Sequence, residues 1–149
     1  MGRKQTGGEK TGRDPGSTGV VIDNFTLPPS PGTNKSGGMC KYLFHHANRA
    51  EKPLRMTEVN YAEVKYIILR KDGAEAWRET ENAISALPLE FHSADRALAD
   101  LATDIKSSNA LSLADSFAAA LAKNTASELI TGDGEFQQLE KEIKIKWLK

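Results

Sequence analysis

The sequence predicts an α/β fold: a mainly parallel five-stranded sheet covered on both faces by helices. Three observations carry this. From about Met39 onward, short apolar runs of strand character alternate with longer segments of helical periodicity. Gly, Pro and Ser/Asn clusters punctuate them. A chain of 149 residues builds one core rather than two.

Val20 to Phe25, where a β-branched run ends in Asp23 and the breakers Pro28, Pro29 and Pro31 follow, reads as a first short strand. Nine of the 12 glycines and four of the six prolines fall in the first 38 residues, a stretch with too little apolar surface to offset its ordering entropy. Residues 1–19 are therefore expected to form a loose leader, residues 20–149 the folded domain, and residues 26–38 an irregular loop within it. Cys40 to Ala50 offers a set of helical turns that Pro53 interrupts, and Leu54 to Val59 a second strand.

Asn60 is placed to cap the next helix, with Glu63 three residues on and Tyr61, Val64, Ile67 and Ile68 at helical spacing as far as Asp72 and Gly73. Glu75 to Leu87 presents Ala76, Trp77, Ala83, Ile84 and Leu87 on one face before Pro88 ends it. Leu89 to His92 reads as a strand. Ser93 is placed to cap a helix bearing Ala97, Leu98, Leu101, Ala102 and Ile105. Ser112 and Asp115 have capping-box spacing at the head of an Ala-rich helix running to Lys123, apolar enough to pack on several sides. Glu128 to Thr131 is a fourth strand, Gly132 to Gly134 a turn, and Glu135 to Glu140 a short helix. Ile143 to Leu148 alternates apolar and basic residues as a fifth strand. Trp77 and Trp147 sit on apolar faces and read as core.

Composition narrows function. Twenty basic side chains balance twenty acidic ones, which leaves no bulk attraction for polyanions. The single cysteine, Cys40, cannot form an internal disulfide, no apolar run approaches membrane-spanning length, and the polar start carries no secretory signal, so a reducing cytoplasmic setting is expected.

In a sheet of this kind functional groups gather at the carboxyl ends of the strands. Four acids stand there: Asp23 after the first strand, Asp133 after the fourth, and Glu63 and Asp115 in the first turns of helices. Brought together they repel and call for a hard cation such as Mg²⁺ or Mn²⁺. Each also has a local account, since Glu63 and Asp115 suit helix N-termini and Asp133 suits a Gly-Asp-Gly turn.

The blocks Met56 to Val64, Leu111 to Ala122 and Leu129 to Phe136 resemble the PIN-domain ribonucleases, particularly the VapC-type toxins, in the family's order. The resemblance spans about residues 39–149 and is most specific in Ser112-Leu113-Ala114-Asp115 and Thr131-Gly132-Asp133. It implies a three-layer α/β/α sandwich and a Mg²⁺- or Mn²⁺-dependent endoribonuclease, usually a homodimer neutralised by a cognate antitoxin. It implies that Asp23, Glu63, Asp115 and Asp133 hold the metal. Thr131 then stands where the family's hydroxyl residue would meet a phosphate oxygen or a metal-bound water. The family follows its first acid with Ser or Thr and then a helix, whereas Asn24 follows here and Thr26 to Gly38 is too rich in Pro and Gly, so the first helix is expected to be missing. A catalytically impaired PIN-like module binding RNA or protein is the alternative, and a purely structural interaction protein a third.

RNA held by its phosphates would meet basic side chains, for which Arg49, Lys52, Arg55, Lys65, Arg70 and Lys71 are candidates; a solvated basic face is their ordinary reading. Adjacent His45 and His46 lack the spacing of a zinc site. Gly7 to Thr11 departs from a phosphate loop at Glu9, and His92 has no nucleophile motif beside it.

Overall fold

The computed structural model describes residues 19–23 and 52–148. The expected leader up to residue 18, the irregular loop, the turns over Cys40 to Ala50, the absence of a first helix, and Arg49 lie outside the described residues.

Five strands, β1 (Val20–Ile22), β2 (Leu54–Thr57), β3 (Leu89–His92), β4 (Glu128–Thr131) and β5 (Ile145–Trp147), form one sheet in the order β3-β2-β1-β4-β5. Every pairing in it is parallel. The helices among the described residues are α1 (Glu58–Lys71), α2 (Gly73–Ser85), α3 (Arg96–Ser108) and α4 (Leu113–Asn124), followed by a 3₁₀ helix over Gly134–Leu139.

β1 lies at the centre and is buried throughout, which explains why its sequence has no polar face. Side-chain alternation divides its surroundings into two cores. Val21 joins Leu129 and the apolar sides of α3 and α4, while Val20 and Ile22 join Leu54, Met56, Ile130 and the buried residues of α1 and α2. The result is the expected α/β/α sandwich. The chain leaves β1 toward β2 and β3 on one side and later occupies β4 and β5 on the other. The crevice between the carboxyl ends of β1 and β4 is thus the point where strand order reverses, the usual ligand position in open parallel sheets.

α4 threads the sandwich. Every residue from Ala114 to Ala122 is buried, and the run of alanines lets neighbouring elements approach closely. Gly73 has φ of 88°, a left-handed conformation that glycine adopts freely, and it turns the chain from α1 into α2 where Asp72-Gly73 predicts a stop.

Several boundaries differ from expectation. β2 ends at Thr57 because the Thr57 hydroxyl, not Asn60, caps α1 by accepting from the Asn60 backbone N–H at 3.0 Å. Asp95, rather than Ser93, caps α3 by accepting from the Leu98 N–H at 2.9 Å. The last strand begins at Ile145, with Ile143 buried just outside it. Trp147 is exposed, not core, because its indole N–H reaches out to Glu140 Oε1 at 2.7 Å, whereas Trp77 is buried as expected against the ring of Tyr61.

Candidate metal centre

β1 delivers Asp23 into the crevice, fully buried. A buried carboxylate needs a donor, and Thr131 at the end of β4 supplies one: its hydroxyl donates to Asp23 Oδ2 at 2.7 Å. The same hydroxyl accepts from the Asp133 N–H at 3.0 Å. Thr131 thereby ties the ends of the two central strands together, and its one proton is committed to Asp23. The expected hydrogen bond of Thr131 to a phosphate oxygen or a metal-bound water is thus accompanied here by a bond to the first acid. Asp133 Oδ1 in turn accepts from the Glu135 N–H at 2.9 Å, capping the 3₁₀ helix and folding the Gly-Asp-Gly-Glu turn back on itself.

That turn brings in a carboxylate that the sequence reading missed. Oxygens of Asp115, Asp133 and Glu135 lie within 4.8 Å of one another. Two ligands on opposite sides of a Mg²⁺ ion sit about 4.2 Å apart, so this trio is near the dimensions of one ion's shell. The overlooked signal was the acid two residues beyond Asp133, which an aspartate-capped turn places on the same side as the capping carboxylate.

Asp115 enters from the first turn of α4, whose N-cap Ser112 accepts from the Asp115 N–H at 3.1 Å. Burial pushes the Asp115 carboxyl up to about 6; the Ser112 hydroxyl opposes the shift, and the charges of Asp23, Asp133 and Glu63 add to it. Glu63, on α1, is raised first by burial and then by Asp23. Glu63 Oε2 is buried with no hydrogen-bond partner among the described residues. All four sequence-predicted acids therefore share one electrostatic neighbourhood, with Asp115 at its centre. An orphaned carboxylate oxygen, mutual repulsion and an all-oxygen donor set together fit a hard divalent cation.

The basic candidates fare differently. Arg55 is corrected from a phosphate contact to a structural cation, because its guanidinium donates to Ser127 Oγ at 3.1 Å and pairs with Glu90 at 3.3 Å. Ser127 precedes β4, on the side away from the acids, and a Cβ on Gly19 would meet the same guanidinium at 2.6 Å. Lys65 lies 5.3 Å from the centre of the Trp77 ring and Arg70 5.8 Å from that of Tyr66. Lys71 is in the last turn of α1, where it complements the helix dipole, and Lys52 is half-buried.

The PIN domain family model matches residues 44–142, and the chain belongs to the PIN-domain family. Among solved structures, DNA-bound VapBC from Salmonella typhimurium superimposes with a TM-score of 0.65 at 16% identity, over 86% of this chain and 96% of that one. VapBC2 from Rickettsia felis, bound to a promoter DNA fragment, gives 0.66 at 9% identity over 87% and 98%. VapC20 from Mycobacterium tuberculosis, described as a Sarcin-Ricin loop cleaving toxin, gives 0.61 at 16% identity over 80% and 93%. At these identities the likeness establishes the fold. No curated protein matches the chain in sequence.

Proposed function

We propose that the protein is a divalent-metal-dependent endoribonuclease of the PIN toxin type, with Asp23, Glu63, Asp115 and Asp133 as metal-holding and catalytic residues and Glu135 as a fifth carboxylate of the site. The observation that carries this reading is Asp115 buried among Asp23, Asp133, Glu63 and Glu135 at the strand-order reversal, with Glu63 Oε2 unpartnered among the described residues. Membership in the PIN-domain family supports phosphodiester hydrolysis as the chemistry.

A bound Mg²⁺ or Mn²⁺ supplies Lewis acidity and a water of lowered pKa. The chain's own groups orient it. Asp23 is held at a defined angle by the Thr131 hydroxyl, Asp133 by the Glu135 N–H, and Asp115 by the rigid first turn of α4. Glu63 brings a buried carboxylate oxygen, Oε2, that meets no donor among the described residues. Hydrolysis at such a site leaves a 5′-phosphate and a 3′-hydroxyl.

VapBC neighbours are toxin–antitoxin assemblies, which supports a cognate antitoxin as partner here; a homodimer is the oligomer this reading expects. No helix among the described residues is long and apolar enough to cross a membrane.

The test compares RNA cleavage by the native chain with Mg²⁺, with a chelator in its place, and by Asp115→Asn with Mg²⁺. Cleavage only in the first case is expected, with at least a ~100-fold loss in the others, as for removal of a group that acts mainly in the transition state. Cleavage surviving Asp115→Asn overturns the mechanism.

A further inference from the structure

Asn60 is fully buried in the first turn of α1, one helical turn before Glu63. Because Thr57 caps the helix, the Asn60 side chain is free for another use. Its Oδ1 accepts from the Thr57 hydroxyl, and its Nδ2 donates to the Ala114 carbonyl oxygen at 3.0 Å. The Ala114 carbonyl can only accept, so the orientation of the amide is determined by its partners.

Ala114 immediately precedes Asp115. One buried hydrogen bond between groups 54 residues apart in sequence therefore joins the turn that carries Glu63 to the turn that carries Asp115. These two carboxylates repel each other across the crevice, and α1 and α4 come from opposite cores of the sandwich.

We propose that Asn60 is a positioning residue of the metal centre, whose amide bond to the Ala114 carbonyl sets the spacing of the turns that carry Glu63 and Asp115. This rests on the metal-dependent reading above. An amide serving only to fill the core would contribute stability and leave the affinity for metal untouched. An amide that sets the spacing of two ligands alters affinity beyond any change in stability, as residues just outside a metal's ligand shell do.

The experiment is calorimetric titration of Mn²⁺ into the full chain, alongside urea unfolding. It compares wild type, Asn60→Leu, Asn60→Ser and the core variant Ile84→Ala, whose side chain packs in the apolar cluster and has no polar group to offer the acids. Leucine keeps the volume without the bonds; serine keeps a hydroxyl for Thr57 but is too short to reach Ala114. Expected is a weakening of Mn²⁺ binding by about 10-fold or more in both Asn60 variants. Ile84→Ala should lose stability yet bind Mn²⁺ like wild type. Folded Asn60 variants with wild-type affinity overturn the proposal alone. If neither variant folds while Ile84→Ala does, the amide belongs to stability and the proposal is also overturned. A wild-type chain that does not bind Mn²⁺ removes the metal centre itself.

Discussion

Asp115, 5% exposed as a residue and surrounded by acids, makes the energetic character of the site concrete. An acid whose folded pKa is raised contributes stability that is fully present below its unfolded value and is lost as pH rises through the folded one. From 3.8 to about 6, at roughly 1.4 kcal/mol per unit, this is at most about 3 kcal/mol. Burial raises Glu63 in the same sense. The metal-free chain should therefore weaken between about pH 4 and pH 6, measured by urea midpoints across that range; a chain that gains stability over this interval contradicts the crowded arrangement. Thr131 is the second sensitive residue. Thr131→Val removes a donor from Asp23 and the acceptor from the Asp133 N–H, and should cost about 1–3 kcal/mol in chemical unfolding while lowering Mn²⁺ affinity. These roles were only half legible. A threonine two before an acid at a strand end was visible in the sequence, but its commitment to Asp23, 108 residues away, was not.

Elements carry the next level. Ser112 was readable as a cap because a serine three residues before an acid, heading an apolar run, satisfies orphan N–H groups through local bonds alone. Ser112→Ala should destabilise the protein by about 1 kcal/mol, read as a shift in urea midpoint at constant slope. It should also loosen the turn that carries Asp115. An unchanged midpoint means α4 is held by packing with no need of its cap. Asn60 and Ser93 misled for the opposite reason: several capping residues stood close together, and which of them left the helix was decided by where β2 and β3 released the chain. Trp147 misled through strand position, since β5 is the outer strand beyond β4 and its alternation does not guarantee a covered face.

At the scale of the whole molecule, the acids meet because β1 lies between β2 and β4, so elements from both ends of the sequence come to one crevice. On the proposed function, Mn²⁺ held by the assembled crevice and not by the unfolded chain should raise the melting temperature, with about 2.7 kcal/mol gained at 100 times Kd. Differential scanning with and without Mn²⁺ checks this, and Asp115→Asn should lose most of the gain; equal gains in both chains place the ion elsewhere. The sequence by itself determined the alternation of strands and helices, the fully apolar β1, the capped head of α4 and four of the acids, because periodicity, capping and turn chemistry are local and short-ranged. Only the tertiary structure decided that Glu135 joins Asp133 and Asp115, that Thr131 serves Asp23, that Asn60 binds α1 to α4, and that Arg55 braces the far edge. Apart from the Asp133–Glu135 turn, which is local, each of these is a contact between groups distant along the chain. Such contacts depend on strand order and on which face each residue takes, and no local pattern encodes them.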